Sequence, residues 1–156
     1  MKLQHPIPQL LLRLALGLSF ISAVADRFGS WGKPGDANVA WGNWQNFVSY
    51  TGQLIAFLPQ SMVNVSAIIA TALELILALM LMIGFRIKVA AISSAILLAC
   101  FGLCMTLSLG IKPPMDYSVW TATTAALLLS SLSDFKYSID NKFKNNYEQS
   151  NQHPGN

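Results

Sequence analysis

Two ionisable side chains, Arg13 and Glu74, lie inside long apolar stretches of the sequence. A lone charge in a hydrocarbon environment costs at least about 2.5–3.5 kcal/mol, so such residues usually have an oppositely charged partner. Counted along helices that rise about 1.5 Å per residue, the depths of the two residues differ by roughly 7–8 Å, a gap that the long arginine side chain can cover. We therefore predict that Arg13 and Glu74 form a buried ion pair.

The predicted pair has two interpretations. In the first, it fixes the register of two packed helices; in the second, Glu74 carries protons or holds a polar ligand such as a quinone headgroup. The helix face around Glu74 is rich in small residues, which is typical of close helix contacts. These residues are Ala67, Ala70, Thr71 and Ala78. The sequence leaves both interpretations open.

A second polar cluster is predicted where the apolar segments end. Asp26 and Arg27 follow the first segment, while Lys112 and Asp116 bracket a later connection that also contains Tyr117. If the segments pack as a bundle, these ends meet. Arg27, Lys112 and the hydroxyl of Tyr117 would then be the donors for an external anion or a quinone oxygen.

The same connection carries signals for the end of one helix and the start of the next. Pro113 and Pro114 stop the preceding helix. Asp116 or Ser118 is available to cap the free N–H groups of the following helix, and capping is the simpler role for Asp116.

Other residue types give weaker indications of chemistry. Cys100 and Cys104 share a helix face, but without a CxxC motif and within an apolar run they are predicted to be small buried hydrophobic residues. His5 and His153 lie in the terminal segments, and no further ligand is spaced to complete a site, so no metal is predicted. Because no basic stripe with interleaved aromatic residues occurs, no nucleic-acid partner is predicted.

The composition indicates which elements position these residues. Hydrophobic residues make up 53% of the 156 residues and charged residues only 11%, which leaves too little polar surface to coat a soluble domain. The apolar residues also form near-continuous blocks instead of alternating with polar ones. We therefore predict an integral membrane protein in contact with the lipid bilayer.

Several apolar blocks approach the length of about 20 residues that a helix needs to cross the hydrocarbon core. We predict an all-α fold in which residues 1–135 form a single domain, a four-transmembrane-helix bundle. The spans are predicted at about residues 7–25, 63–85, 89–111 and 115–135. Residues 136–156 are rich in Asn, Lys and Gln and are predicted to form a polar, disordered cytoplasmic tail.

An amphipathic helix is predicted in the connection between the first two spans. From Trp44 onward apolar residues recur at helical spacing, with Asn43 as a candidate N-cap and Pro59 ending the pattern. Aromatic rings that favour the headgroup region of a bilayer accompany it; they are Trp31, Trp41, Trp44 and Tyr50. We predict an interfacial helix on the outer side, either an aromatic anchor or a lid over an outward-facing pocket.

The orientation follows from basic residues in short loops, which are retained on the cytoplasmic side. With both termini inside, the cytoplasmic basic residues are Lys2, Arg86, Lys88, Lys136, Lys142 and Lys144, against Arg27, Lys33 and Lys112 outside. We therefore predict that both termini are cytoplasmic. An alternative is a cleaved secretory signal, because Lys2, an apolar run and the small residues 23–25 imitate one.

A set of short motifs occurs in order along the chain. They are Leu11-Leu12-Arg13-Leu14-Ala15-Leu16-Gly17, Ala25-Asp26-Arg27-Phe28-Gly29, Glu74 followed by Ile83-Gly84-Phe85-Arg86, and Asp116-Tyr117-Ser118-Val119. In this order they resemble the DoxX family of small four-helix membrane proteins, over roughly residues 11–132. The resemblance implies a link to quinone-dependent sulfur oxidation, through a subunit of a thiosulfate:quinone oxidoreductase, and more loosely to membrane redox complexes.

What the resemblance implies is a redox-associated membrane subunit in the bacterial inner membrane, with quinone as cofactor and a redox protein as partner subunit. Such a subunit would contain bound quinone and would lose activity on substitution of Glu74 or Arg27. A small-solute carrier would instead give flux in proteoliposomes, and an assembly scaffold would co-purify with a stable partner. Whether the chain is itself an enzyme stays open at this point.

Overall fold

The computed structural model describes residues 6–133 and 135–141. Six helices lie within residues 6–133, residues 139–141 are also helical, and no strand occurs among the described residues. The helices are α1 (Pro6–Arg27), α2 (Trp44–Leu54), α3 (Ser61–Ile83), α4 (Ile87–Leu109), α5 (Lys112–Asp116) and α6 (Val119–Ser131). The prediction of an all-α fold is confirmed.

Helices α1, α3 and α4 are the three long apolar helices of the described residues, with 22, 23 and 23 residues. At about 1.5 Å per residue they extend about 33–35 Å, which is enough for a hydrocarbon core of about 30 Å. The predicted fourth span differs, because α6 has only 13 residues and extends about 20 Å. Ser118, in the left-handed conformation with a φ of 55°, separates it from α5.

The apolar core lies between helices that pack in pairs, α1 mainly on α3 and α4 mainly on α6. The buried face of α1 presents Leu16, Gly17 and Phe20 at helical spacing. Gly17 allows a close approach, because a Cβ at this position would lie 2.8 Å from Cγ of Met82 and 3.2 Å from the carbonyl oxygen of Ala78. This contact sets the register of α1 against α3.

Helix α2 begins where the sequence predicts. Asn43 is its N-cap, and the side-chain oxygen accepts a hydrogen bond from the Asn46 N–H at 2.8 Å. The helix ends at Leu54, before the predicted end at Pro59. Ser108 near the end of α4 donates to the Leu54 carbonyl at 2.7 Å. Helix α2 therefore packs at the end of the bundle where α1 and α4 finish and α3 begins.

The first residues of the predicted polar tail pack against the opposite end of the bundle. Asp140 accepts hydrogen bonds from the backbone N–H groups of Arg86 at 2.8 Å and Ile87 at 2.9 Å, and its own N–H donates to the Gly84 carbonyl at 3.1 Å. Asp140 thus caps the start of α4 from a distant part of the sequence, a contact that composition does not reveal. The polar cytoplasmic tail at residues 136–156 stays a prediction, and residues 142–156 lie outside the described residues.

We expect Asp140→Ala to lower the free energy of unfolding by about 1 kcal/mol, because the first N–H groups of α4 lose their acceptor. Thermal unfolding in a mild detergent, followed by circular dichroism, measures the change. Asp116→Ala is the matched control, since Asp116 belongs to an exposed ion pair that contributes little. Equal melting temperatures for the two variants would contradict the capping role of Asp140.

Candidate functional site

Glu74, in the middle of α3, forms an ion pair with Arg27, the last residue of α1. Nη2 of Arg27 lies 2.6 Å from Oε2 of Glu74, and the two side chains are only 2% and 3% exposed. Two charges shielded from water in this way hold each other in place, because either one alone would be an uncompensated buried charge. The predicted pairing of Arg13 with Glu74 is therefore wrong.

Arg13 is fully buried as well, but its guanidinium contacts carbonyl groups. It donates to the carbonyls of Leu81 at 3.0 Å, Met82 at 3.3 Å and Tyr137 at 3.3 Å. The first two belong to the last turn of α3, where the helix dipole places partial negative charge. The close packing of α1 on α3 brings Arg13 to the end of α3 and not to its middle, where Glu74 lies.

Thr71 completes the polar contacts of the Arg27 guanidinium. Nη1 of Arg27 donates to Oγ1 of Thr71 at 2.6 Å, and this hydroxyl donates in turn to the Ala67 carbonyl at 2.8 Å. Thr71 and Glu74 share a helix face, because they are three positions apart. The sequence places Thr71 among the small residues of this face but does not reveal its role as a partner of Arg27. Its spacing from Glu74 was the available signal.

Aromatic rings from α2 and the preceding loop cover Arg27. The guanidinium carbon lies 3.8 Å from the centre of the Phe47 ring and 5.4 Å from the centre of a Trp41 ring. The two aromatic side chains pack edge to face, with 5.1 Å between ring centroids. Cation–π contact stabilises a guanidinium that has lost its water. The sequence predicts that the aromatic residues of this segment lie in the headgroup region, but it does not predict their contact with Arg27.

One donor of this site has no acceptor. Nε of Arg27 is buried and makes no hydrogen bond within the described residues, although both Nη atoms of the same group are engaged. A buried N–H group without a partner costs about 1–3 kcal/mol. The hydrogen-bonding capacity of this buried atom is therefore unused among the described residues.

Asp26 precedes Arg27 but belongs to a different set of contacts. Its Oδ2 accepts hydrogen bonds from the backbone N–H groups of Ala40 at 3.0 Å and Trp41 at 2.9 Å, which closes the loop between α1 and α2 back onto α1. Its Oδ1 is buried without a hydrogen bond among the described residues. The adjacent charges of Asp26 and Arg27 thus face different neighbours.

The remaining members of the predicted outer cluster lie at the surface. Lys112 and Asp116 pair with each other within α5, and their side chains are 81% and 55% exposed. Tyr117 is also exposed, and burial together with this neighbouring phenol raises the pKa of Tyr50 on α2. The ion pairs of the described residues do not join α5 to the end of α1, because Arg27 turns inward. The prediction of one joint cluster is therefore wrong.

Two further predictions differ from the structure. Ser118 occupies the N-cap position of α6, but its side chain makes no capping hydrogen bond, and Asp116 faces Lys112. Cys100 is exposed and Cys104 is half-buried, so the predicted burial fails for Cys100; both are free thiols. The part of the chain that the structure describes has no group of three or more His, Cys, Asp or Glu side chains placed to hold a metal ion.

We expect Glu74→Gln to lower the free energy of unfolding by about 3–5 kcal/mol, because it leaves the buried guanidinium of Arg27 uncompensated. A double-mutant cycle with Arg27→Gln, measured by unfolding in detergent, should show strong coupling between the two positions. The control cycle combines Glu74→Gln with Arg13→Gln and should be additive within about 0.5 kcal/mol, since these residues share no partner. Stronger coupling of Glu74 to Arg13 than to Arg27 would contradict the observed pairing.

The helices that carry these residues are the evidence for a membrane location. α1 and α3 are among the three helices of the described residues that are long and apolar enough to cross a bilayer. Large side chains such as Ile68, Ile76 and Leu79 are more than half exposed on α3, as expected of a surface in contact with lipid. These features support an integral membrane protein. No family model matches the chain, and no curated protein or solved structure matches it.

Proposed function

We propose that this chain is a membrane subunit of a quinone-linked redox system in the bacterial inner membrane, as the resemblance to the DoxX family implies. A partner subunit would exchange electrons with the quinone. The observation that carries the proposal is the buried Arg27–Glu74 pair with an unused donor, Nε of Arg27, beside it. Buried charges in membrane proteins commonly mark sites of proton or ligand handling.

In this proposal the chain crosses the membrane four times. Helix α6 and the residues that flank it form the fourth span, predicted at about residues 115–135, because the 13 residues of α6 extend only about 20 Å of the about 30 Å that a span needs. Both termini are cytoplasmic, which is supported by Arg86 and Lys88 at the turn between α3 and α4. Helix α2 then lies in the outer interface, the depth that Trp44 and its neighbouring rings prefer.

The polar groups of the site fit a quinone headgroup. A quinone carbonyl accepts hydrogen bonds, and Nε of Arg27 is a buried donor without an acceptor. A reduced quinone carries acidic hydroxyl groups, and the Glu74 carboxylate beside Arg27 is a proton acceptor. The quinone itself would supply the coupled electron and proton chemistry.

The residues around the pair have separate roles in this proposal. Arg27 holds the headgroup oxygen and balances the charge of Glu74, which takes up and releases a proton at its carboxylate. Thr71 keeps the guanidinium oriented through its hydrogen bond to Nη1. Phe47 and Trp41 exclude water, and this strengthens every electrostatic contact inside the site.

The protein purified in a mild detergent is expected to retain quinone, detected by solvent extraction and mass spectrometry. Arg27→Lys should lower the quinone content at least about tenfold, because lysine keeps the positive charge beside Glu74 but has no donor at the position of Nε. Lys112→Gln removes an exposed basic residue and should leave the content unchanged.

Melting temperatures of the three proteins separate loss of ligand from loss of structure. Quinone retained by a folded Arg27→Lys variant would show that Nε is not a ligand. A wild-type protein without quinone would refute the proposal. In that case a stable co-purifying partner would favour an assembly scaffold, and solute flux in proteoliposomes would favour a carrier.

A further inference from the structure

A second candidate site lies on the outer side of α1, separate from the buried ion pair. An open groove of about 610 Å³ runs between α1 and the loop that leads to α2. Helix α1 contributes Leu18, Ser22 and Asp26, and the loop contributes Trp31 and Trp41. The groove thus combines an apolar wall with a hydroxyl, two indole rings and one carboxylate.

The carboxylate of Asp26 has no cationic partner. Its neighbour Arg27 is engaged by Glu74, and the ion pairs within residues 6–133 and 135–141 do not include Asp26. Asp26 is 6% exposed, and its Oδ1 has no hydrogen-bond donor in the part of the chain that the structure describes. A buried carboxylate that has no cationic partner and one oxygen without a donor favours a ligand that brings both a positive charge and an N–H group.

The exposed indole ring of Trp31 adds to the attraction for a cation, whereas the ring of Trp41 already lies beside the Arg27 guanidinium. Nε1 of Trp31 donates to the Ser22 carbonyl at 3.1 Å, which holds this side chain beside α1. Trp41 is held by the hydrogen bond from its backbone N–H to Asp26. The faces of indole rings attract ammonium groups. A carboxylate beside an exposed indole ring therefore favours an ammonium ligand.

The apolar wall of the groove indicates which kind of molecule carries this ammonium group. Leu18 is 54% exposed on α1, a helix long and apolar enough to cross the membrane. It lies about 12 Å along the helix from Asp26, so one ligand that touches both ends has a cationic head and an apolar chain. We propose that the groove binds an aminophospholipid of the outer leaflet, with its primary ammonium on Oδ1 of Asp26 and an acyl chain along Leu18.

This inference does not depend on the quinone proposal, and its test uses lipids alone. The purified full-length chain is delipidated in detergent and titrated with phosphatidylethanolamine, phosphatidylcholine and phosphatidylglycerol of identical acyl chains, with bound lipid counted by native mass spectrometry. Phosphatidylethanolamine should bind at least about tenfold more tightly than phosphatidylcholine, whose quaternary ammonium has no N–H group to donate.

Asp26→Asn is the main variant, because asparagine can keep a carbonyl oxygen on the N–H groups of Ala40 and Trp41 while presenting an amide donor to the groove. It should abolish the preference for phosphatidylethanolamine without lowering the melting temperature. Asp36→Asn is the matched control, since Asp36 is an exposed carboxylate in the same loop that accepts from the Lys33 N–H at 2.8 Å. It should retain the full preference.

If Asp26→Asn does not fold, Trp31→Leu replaces an exposed ring and should weaken phosphatidylethanolamine binding by about twofold to fivefold. Equal binding of the three lipids by the wild-type chain would overturn the proposal, as would an Asp26→Asn variant that behaves like the control. Free ethanolamine that binds as tightly as the lipid would show that the acyl chain contributes nothing, and would overturn the assignment to a lipid.

Discussion

The buried pair of Arg27 and Glu74 is the interaction on which the arrangement of the helices depends. A helix that crosses a membrane carries a mid-span carboxylate at low cost only where a cation lies beside it. The pair therefore requires the end of α1 to lie against α3. The free-energy cost of removing both charges from water is offset only by good geometry and further hydrogen bonds. Thr71 supplies one of these bonds and Phe47 covers the guanidinium. A single charge on α3 thus requires the end of α1 and the start of α2 to lie beside it.

Helix α1 meets α3 at two depths through arginines that use different acceptors. Arg13 and Arg27 are about 21 Å apart along the helix. Arg27 binds a carboxylate, whereas Arg13 binds the carbonyl groups that end α3 and therefore needs no acid in contact with it. Gly17 lies between them and allows the backbones to approach. Helix α3 thus satisfies two guanidinium groups of α1, one with a side chain in its middle and one with the carbonyl groups at its end.

The features that the sequence predicts correctly are local ones, and those it misses are contacts between residues far apart in the sequence. Hydropathy identified the three long helices and Asn43 marked the start of α2, because both are local properties of the chain. The partner of Glu74 depends on the register of α1, which reflects the close approach to α3 that Gly17 allows and which counting of depths does not capture. Arg27 follows an apolar segment, so the sequence predicts a side chain that turns outward to water. Only the folded arrangement shows that it turns inward.

The inward turn of Arg27 also explains why Asp26 does not pair with its neighbour. The two residues are adjacent and oppositely charged, yet Glu74 engages the arginine, and the carboxylate of Asp26 beside the groove has no ion-pair partner among the described residues. Trp41 belongs to both environments, because its backbone N–H donates to Asp26 at 2.9 Å and its ring lies 5.4 Å from the Arg27 guanidinium. Trp41 therefore joins the groove at Asp26 to the aromatic cover of the Arg27–Glu74 pair.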